Sequence, residues 1–355
     1  MKLDNIHYSL NKLLSYNKPF NFVISAREAG KSTAVWLYAY KKFKQGYTTL
    51  VIRRLIADIT DTYVNDIESL LNKFLDKPVE LEYRKGEIKD GALTVYIDGK
   101  MFFRVIALSN PLTRVKSLMM PKLNVILFDE FICNTRMGEK YLSNEVFKFK
   151  EIFNTFQREA ENLRVIFSGN PYSLYNPYFS WMEADTKQLY PGNFVTGETY
   201  CIEVYQLTEA LREHILKKNP LYKFDDSYTK YAFDGRAIND DQIQVIERQP
   251  EDFALRYVFY VQNKYLGIYS ITSQGLEKVK DYKFPFFWLS IIDDYKSNRR
   301  QVACIDVNSL IEGNYLICNE DKKAFYHLKD MYRNRRVSFR TIEESYLFEE
   351  IFNYI

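Results

Sequence analysis

Ser25-Ala26-Arg27-Glu28-Ala29-Gly30-Lys31-Ser32 follows an apolar run, Phe20-Asn21-Phe22-Val23-Ile24, and opens a stretch from Lys31 to Lys44 that reads as a helix. A strand that turns through Gly-Lys-Ser into a helix suits a phosphate chain. Backbone N–H groups wrap the phosphates, the lysine reaches the β and γ oxygens, and the hydroxyl meets Mg²⁺. The pattern G-x-x-x-x-G-K-[ST] asks for glycine first, and Ser25 stands there instead. Gly30, Lys31 and Ser32 supply the essential half. The nucleotide-binding candidates are therefore Ser25, Ala26, Arg27, Glu28, Ala29, Gly30, Lys31, Ser32 and Thr33.

A second element has the matching chemistry. Asn124-Val125-Ile126-Leu127-Phe128 is a short apolar strand that ends in Asp129-Glu130. An Asp at such a strand end holds Mg²⁺ together with the loop hydroxyl, and a following Glu is placed to act as base for the attacking water. Alone, an Asp-Glu pair is an ordinary polar strand end. After a Gly-Lys-Ser loop, and in this order, it predicts an ATP site. Val165-Ile166-Phe167-Ser168 leads to Gly169-Asn170, where Asn170 faces the γ-phosphate or simply makes a turn before Pro171.

The first two hundred residues alternate strand and helix, which predicts an α/β domain with a mostly parallel sheet. Turn signals at Asp90-Gly91 and Asp98-Gly99 place antiparallel hairpins within residues 79–108. The chain is divided into an ATPase domain at 1–205, a small helical linker at 206–245 and a β-rich α/β domain at 246–355. The net charge is +3 over 355 residues, so any nucleic-acid contact must be local. Four scattered cysteines and three histidines argue against structural zinc and for a reducing compartment. No apolar run reaches the roughly 18 residues of a membrane span, and the N-terminus lacks a signal-peptide layout. The expectation is an intracellular protein with no membrane partner.

The combined motifs resemble the DNA-packaging ATPases of phi-29-type small tailed phages, within the terminase-like class of P-loop motors (the ASCE type). The resemblance rests on Asn21 to Arg27 leading into Gly30-Lys31-Ser32, on Arg53-Arg54, and on Tyr96-Ile97-Asp98-Gly99-Lys100. It continues through Phe128-Asp129-Glu130-Phe131-Ile132, Asn144-Glu145-Val146, Ser168 with Asn170, and Asn176-Pro177-Tyr178-Phe179. It is good over residues 10–180 and looser beyond.

The resemblance implies an ATP- and Mg²⁺-dependent translocase of double-stranded DNA that packages a viral genome. It implies a homomeric ring, of five subunits by family analogy, docked in the host cytoplasm on the portal of a procapsid, with or without a packaging RNA. Lys31 would bind phosphate, Ser32 and Asp129 would hold Mg²⁺, and Glu130 would polarise water. Arg158 would act as an arginine finger on the neighbouring subunit's ATP, and Lys116 would be a further basic residue acting across the interface. The C-terminal domain would be RNase H-like and vestigial as a nuclease; Asp293, Asp294, Asp306 and Glu312 are its only candidate carboxylate cluster. The group Arg333, Arg335, Arg336 and Arg340 and the run 296–300 are candidate DNA contacts; Arg53 and Arg54, at a strand end, are candidates for DNA or a neighbouring subunit and equally for a structural role. Two loop residues depart from the family glycines. Ser25 would carry strain if its backbone were left-handed, and Glu28 should turn away from the triphosphate or pair with Arg27 or a partner subunit. A different P-loop translocase or helicase, and a packaging nuclease with an active C-terminal domain, are the competing readings.

Overall fold

The computed structural model describes residues 7–84, 91–134, 137–158, 160, 162–174, 176–224, 229, 244–261, 264–279, 284–293, 302–304, 314–316, 318–341, 344, 345, 347, 348 and 351. The chain forms two compact units, Met1–Ile238 and Asn239–Ile355.

The first unit runs α1 (Asn11–Ser15), β1 (Phe20–Ser25), α2 (Lys31–Lys44), β2 (Thr48–Arg53), α3 (Asp61–Phe74), β3 (Glu82–Tyr83), β4 (Ala92–Ile97) and β5 (Lys100–Ala107). It continues with α4 (Leu112–Lys116), β6 (Leu123–Asp129), α5 (Glu145–Gln157), β7 (Arg164–Gly169), α6 (Pro177–Trp181), β8 (Phe194–Thr196), β9 (Tyr200–Tyr205) and α7 (Glu209–Lys218). The strands make one sheet in the order β3-β4-β5-β2-β6-β7-β1-β9-β8. The six strands from β5 to β9 are parallel, and β3, β4 and β8 add antiparallel edges. The expected hairpin is β4–β5, closed by the left-handed pair Asp98 and Gly99. Its second strand also joins the parallel sheet through β2.

Both faces of the sheet are covered, which is why its strands are near-continuous apolar runs. Alternate residues serve opposite layers. Phe22, Ile24, Phe128 and Phe167 pack under α5, α6 and α7 with Phe149, Ile152, Tyr178 and Leu211. Val23, Val51, Leu127 and Ile166 pack under α1, α2 and α3 with Leu13, Trp36 and Leu71. Helix starts follow from their caps. Thr60 accepts from Tyr63 N at α3, Asn176 accepts from Tyr178 N and Phe179 N at α6, and Thr208 accepts from Leu211 N at α7. Residues 206–224 of the expected linker belong to this unit, because Leu211, Ile215 and Tyr222 are buried in its core, whereas Gln244 and Val245 fall in the second unit.

The second unit contains β10 (Gln244–Val245), β11 (Phe253–Val261), β12 (Lys264–Ile271), α8 (Ser273–Lys278), β13 (Phe287–Ile291), β14 (Val302–Cys304), β15 (Asn314–Leu316), α9 (Asn319–Arg333) and β16 (Val337–Phe339). Its sheet order is β10-β16-β13-β12-β11-β14-β15. An antiparallel meander β11-β12-β13 is extended by β14 and β15, parallel to β11, and on the other side by β16, parallel to β13. The second unit is thus an α/β domain on a mixed sheet, as expected for its class. Phe259, Leu266, Leu289, Phe325, Phe339 and Phe348 form its core.

Candidate functional site

In a parallel sheet every strand delivers its C-terminal residue to the same edge, and that edge is where ligands bind. Here it collects the loop after β1, Arg53 and Arg54 after β2, Asp129 and Glu130 after β6, and Asn170 after β7. The register brings Asp129 beside Ser168 and Ile24 beside Gly169. β7 therefore separates the loop strand from the carboxylate strand. At about 4.8 Å per strand spacing this leaves roughly 10 Å between them, enough for a phosphate chain and its cation.

The loop is held open from inside. Lys31 Nζ, though buried, donates to Ser25 O at 3.1 Å, Ala26 O at 3.3 Å and Asn170 Oδ1 at 3.1 Å. Burial lowers its pKa to about 8; Arg27 adds to the lowering, while Asp129 and Glu130 oppose it. Gly30 is left-handed at φ 90°, and a Cβ there would come 3.0 Å from His7 Cβ. Tyr8 N donates to Ala29 O, so the segment before α1 backs the loop. Ser32 is exposed and Thr33 half-buried on the first turn of α2.

The strain expected at Ser25 is absent: it is the buried last residue of β1, outside the left-handed residues, and its hydroxyl donates to Ala26 O. Glu28 carries the strain instead, at φ 59°. Its carboxylate turns toward the segment after α7, where Oε1 accepts from Asn219 Nδ2 and Tyr222 OH, each at 3.3 Å. Neither Arg27 nor a partner subunit is needed to hold it. Arg27 Nη2 donates to Tyr172 OH at 3.1 Å.

Opposite the loop, Arg53 bridges both carboxylates. Nη1 lies 3.0 Å from Asp129 Oδ2 and Nη2 lies 2.8 Å from Glu130 Oε2. Burial pushes the Asp129 carboxyl pKa up, against Arg53 and with the like charge of Glu130. Glu130 is itself left-handed at φ 57°, and its side chain is 60% exposed. A β6 end that turns sharply presents this carboxylate to the cleft.

Arg54 fastens that turn from below. Nη1 donates to Glu130 O at 3.0 Å, and Nη2 donates to Phe131 O at 2.7 Å. Its Nε donates to Glu145 Oε2 at 2.9 Å and Nη2 to Glu145 Oε1 at 3.1 Å. Tyr178 OH and Leu142 N complete the shell of Glu145. Burial works against the arginine's charge, and Glu145 overcomes it, raising the Arg54 pKa above its ordinary value. The DNA-contact expectation for Arg53 and Arg54 therefore fails on placement. Arg54 is 8% exposed and Arg53 is occupied by the two carboxylates. A strand-end Arg-Arg pair leaves a structural role and an outside contact equally open in the sequence, because its partners lie over 70 residues away.

The two residues expected to act in trans lie elsewhere. α5 starts at Glu145, beside the site, and runs away from it, with Phe153 against Phe20 at the opposite edge of the sheet. Arg158 caps its far end and is exposed. At 1.5 Å per residue the helix carries Arg158 about 20 Å from Glu145. Lys116 is exposed on α4 and pairs with Glu151 on α5 at 2.6 Å. In the second unit Arg335 is exposed, whereas Arg336 donates to Phe284 O and lies 4.6 Å from the Phe286 ring centre. Arg340 is exposed, α9 ends at Arg333, and Asp293 is exposed beyond β13. Asp294, Asp306, Glu312 and the run 296–300 lie outside the described residues.

The sequence that builds this geometry also matches a known family. The model of the podovirus DNA encapsidation protein (Gp16) family matches residues 3–337. The chain belongs to that family. It is 28% identical over 332 residues to the DNA packaging protein of Bacillus phage phi29, covering 92% of this chain and 90% of that protein. It is 27% identical over 322 residues to the DNA packaging protein of Bacillus phage B103, covering 90% and 91%. A chain of the bacteriophage Phi-29 viral genome packaging motor assembly superposes over 99% of both chains, with TM-score 0.65 and 26% identity. A chain of the Phi-28 gp11 DNA packaging motor shares the fold, at TM-score 0.65 and 17% identity. The family is the one that the sequence motifs resemble.

Proposed function

We propose that this chain hydrolyses ATP at the sheet edge formed by β1, β2, β6 and β7, and uses the energy to drive double-stranded DNA into a procapsid as one subunit of a homomeric ring. The observation that carries this reading is the convergence of Lys31, Asn170, Asp129 and Glu130 from the ends of two parallel strands, β6 and β7, and the start of helix α2. Ser32 and Asp129 are the residues that would hold Mg²⁺. A half-buried carboxylate faces an exposed hydroxyl-bearing helix start, which fits a hard cation with oxygen ligands. When bound, that cation neutralises charge on the β and γ phosphates.

The chain's own groups do the rest. Lys31 and the loop amides orient the phosphates. Asn170, already on Lys31, lies where it sees the γ end. Glu130 takes the proton of the attacking water. Arg53 must release Asp129 and Glu130 before either can act, because its guanidinium occupies both. The ring, its five-fold count, the portal and any packaging RNA are part of the proposal by way of the family. DNA would be held through backbone phosphates without base readout, with Arg335 and Arg340 as exposed candidates and the side chain of Arg333 as a further one. The test is the ATPase rate with and without double-stranded DNA, measured with oligomeric state. DNA-stimulated hydrolysis by a ring is the expected result; a monomer with DNA-independent turnover counts against it.

Arg158 lies too far along α5 to reach its own site, so a catalytic role requires a neighbour. Arg158→Ala is expected to bind ATP normally and lose about 10³-fold in turnover. Mixed with Glu130→Gln subunits it should recover part of that rate; no recovery at any ratio would rule out the trans role. Glu28→Gly is expected to tighten ATP binding about three- to tenfold, by removing a like charge worth on the order of 1 kcal/mol near the triphosphate and relaxing a left-handed backbone. Equilibrium titration with a fluorescent ATP analogue reads this directly.

A further inference from the structure

Tyr63 sits in the first turn of α3, where its backbone N–H is held by the Thr60 cap. Its ring stands edge-on to Trp36, and the Arg53 Cζ lies 5.1 Å from the ring centre. The hydroxyl oxygen is sealed from solvent and has no hydrogen-bond partner among the described residues; Arg53 Nε is in the same position. A buried tyrosine hydroxyl ordinarily finds a partner, because leaving it unpaired carries the full cost of desolvation. An orphan of this kind calls for an explanation. The charges that act on it are those of the site. Burial pushes the phenol pKa well above its ordinary value; Asp129 and Glu130 add to this and Arg53 opposes it.

We propose that Tyr63 is a positioning residue for the metal-binding carboxylate: once a divalent cation takes Asp129, the Tyr63 hydroxyl donates to the Asp129 oxygen that Arg53 has released. This rests on the reading of Asp129 as a metal ligand. The physical reason is charge. Arg53 and a divalent cation compete for one carboxylate, and two positive charges at that separation repel. The phenol is neutral and can stand beside the cation where the guanidinium cannot. Carboxylates that ligate metals are themselves held by hydrogen bonds from outside the coordination shell, and such bonds set ligand orientation and affinity. Arg53 thus serves the ligand-free site and Tyr63 the loaded one, with the same carboxylate passed between them.

The test is Tyr63→Phe in the full-length chain, with Mn²⁺ binding followed by electron paramagnetic resonance in the presence of a non-hydrolysable ATP analogue. Mn²⁺ affinity is expected to fall about tenfold or more. Binding of the analogue in EDTA should be unchanged. Thermal unfolding of the ligand-free protein should move up by about 2–4 °C, since the orphan hydroxyl is gone. A residue that only packs would show the same rise in melting temperature and leave metal affinity alone. Mn²⁺ affinity within twofold of the unmodified protein overturns the proposal, whatever the melting temperature does. If the variant does not fold, 3-fluorotyrosine at position 63 of the otherwise unmodified chain replaces it. Its ¹⁹F resonance should shift on addition of Mg²⁺ with nucleotide and not with nucleotide alone, and no shift overturns the proposal. If the unmodified chain binds no divalent cation with nucleotide, the reading of the site falls as well. Normal binding by the unmodified chain with an unaffected variant rejects the role of Tyr63 alone.

Discussion

Glu130→Gln is expected to reduce ATP turnover by about 10²–10⁴-fold, the range for losing a general base, while ATP binding is retained. The substitution keeps the volume and hydrogen-bonding reach of the side chain and removes only its basicity. Its side chain is 60% exposed and contributes one contact, to Arg53 Nη2 at 2.8 Å. The left-handed backbone at Glu130 is held by Arg54 through the carbonyl oxygen, and this does not depend on the side chain. The melting temperature should therefore stay within about 1 °C of the unmodified protein, as for surface substitutions generally. Single-turnover hydrolysis beside equilibrium nucleotide binding separates the two effects. Full turnover in the variant would remove Glu130 from the chemistry.

Arg54→Ala is expected to cost about 3–5 kcal/mol of stability, the range for stranding one member of a buried ion pair. It leaves Glu145, whose side chain is 1% exposed, with Tyr178 OH and Leu142 N as its partners among the described residues. The corresponding fall in the melting temperature is roughly 6–20 °C for a unit of this size. Activity should fall further than stability alone explains, because Arg54 also holds the carbonyls of Glu130 and Phe131. A paired Arg54→Met, Glu145→Leu variant separates the two contributions. Replacing both charges by apolar groups should recover most of the stability, yet the turn that presents Glu130 loses its support and turnover stays low. Recovery of full turnover in the pair would show that Arg54 matters only for folding.

Several elements were legible because their signals are local. The β1 strand, the Gly30-Lys31-Ser32 start of α2 and the Asp129-Glu130 end of β6 are each contained within a few residues. The hairpin turn at Asp98-Gly99 is equally local. β9 was not legible. Tyr200-Cys201-Ile202-Glu203-Val204-Tyr205 carries a charge in its middle, yet it pairs with β1 as a buried strand one place in from the edge of the sheet. Glu203 is tolerated there at 5% exposure because Tyr8 OH, almost 200 residues earlier, donates to it at 2.6 Å. No window of sequence contains both partners.

The same distinction governs the loop residues with which the sequence opened. From the order of residues alone, Lys31, Ser32, Asp129 and Glu130 were expected to share one phosphate and cation chemistry on an α/β sheet, because each needs only its own strand end or helix start. Which residues surround that chemistry was decided by tertiary structure. Parallel strands bring their ends together across long stretches of chain, so Arg53 became a clamp on two carboxylates and Arg54 a buried brace, with Tyr63 of α3 against the Arg53 guanidinium. Glu28, without a partner in its own neighbourhood, found Asn219 and Tyr222 nearly 200 residues away. A charge near a strand end is surface or core according to what the fold brings opposite it, and only the packed sheet edge supplies that.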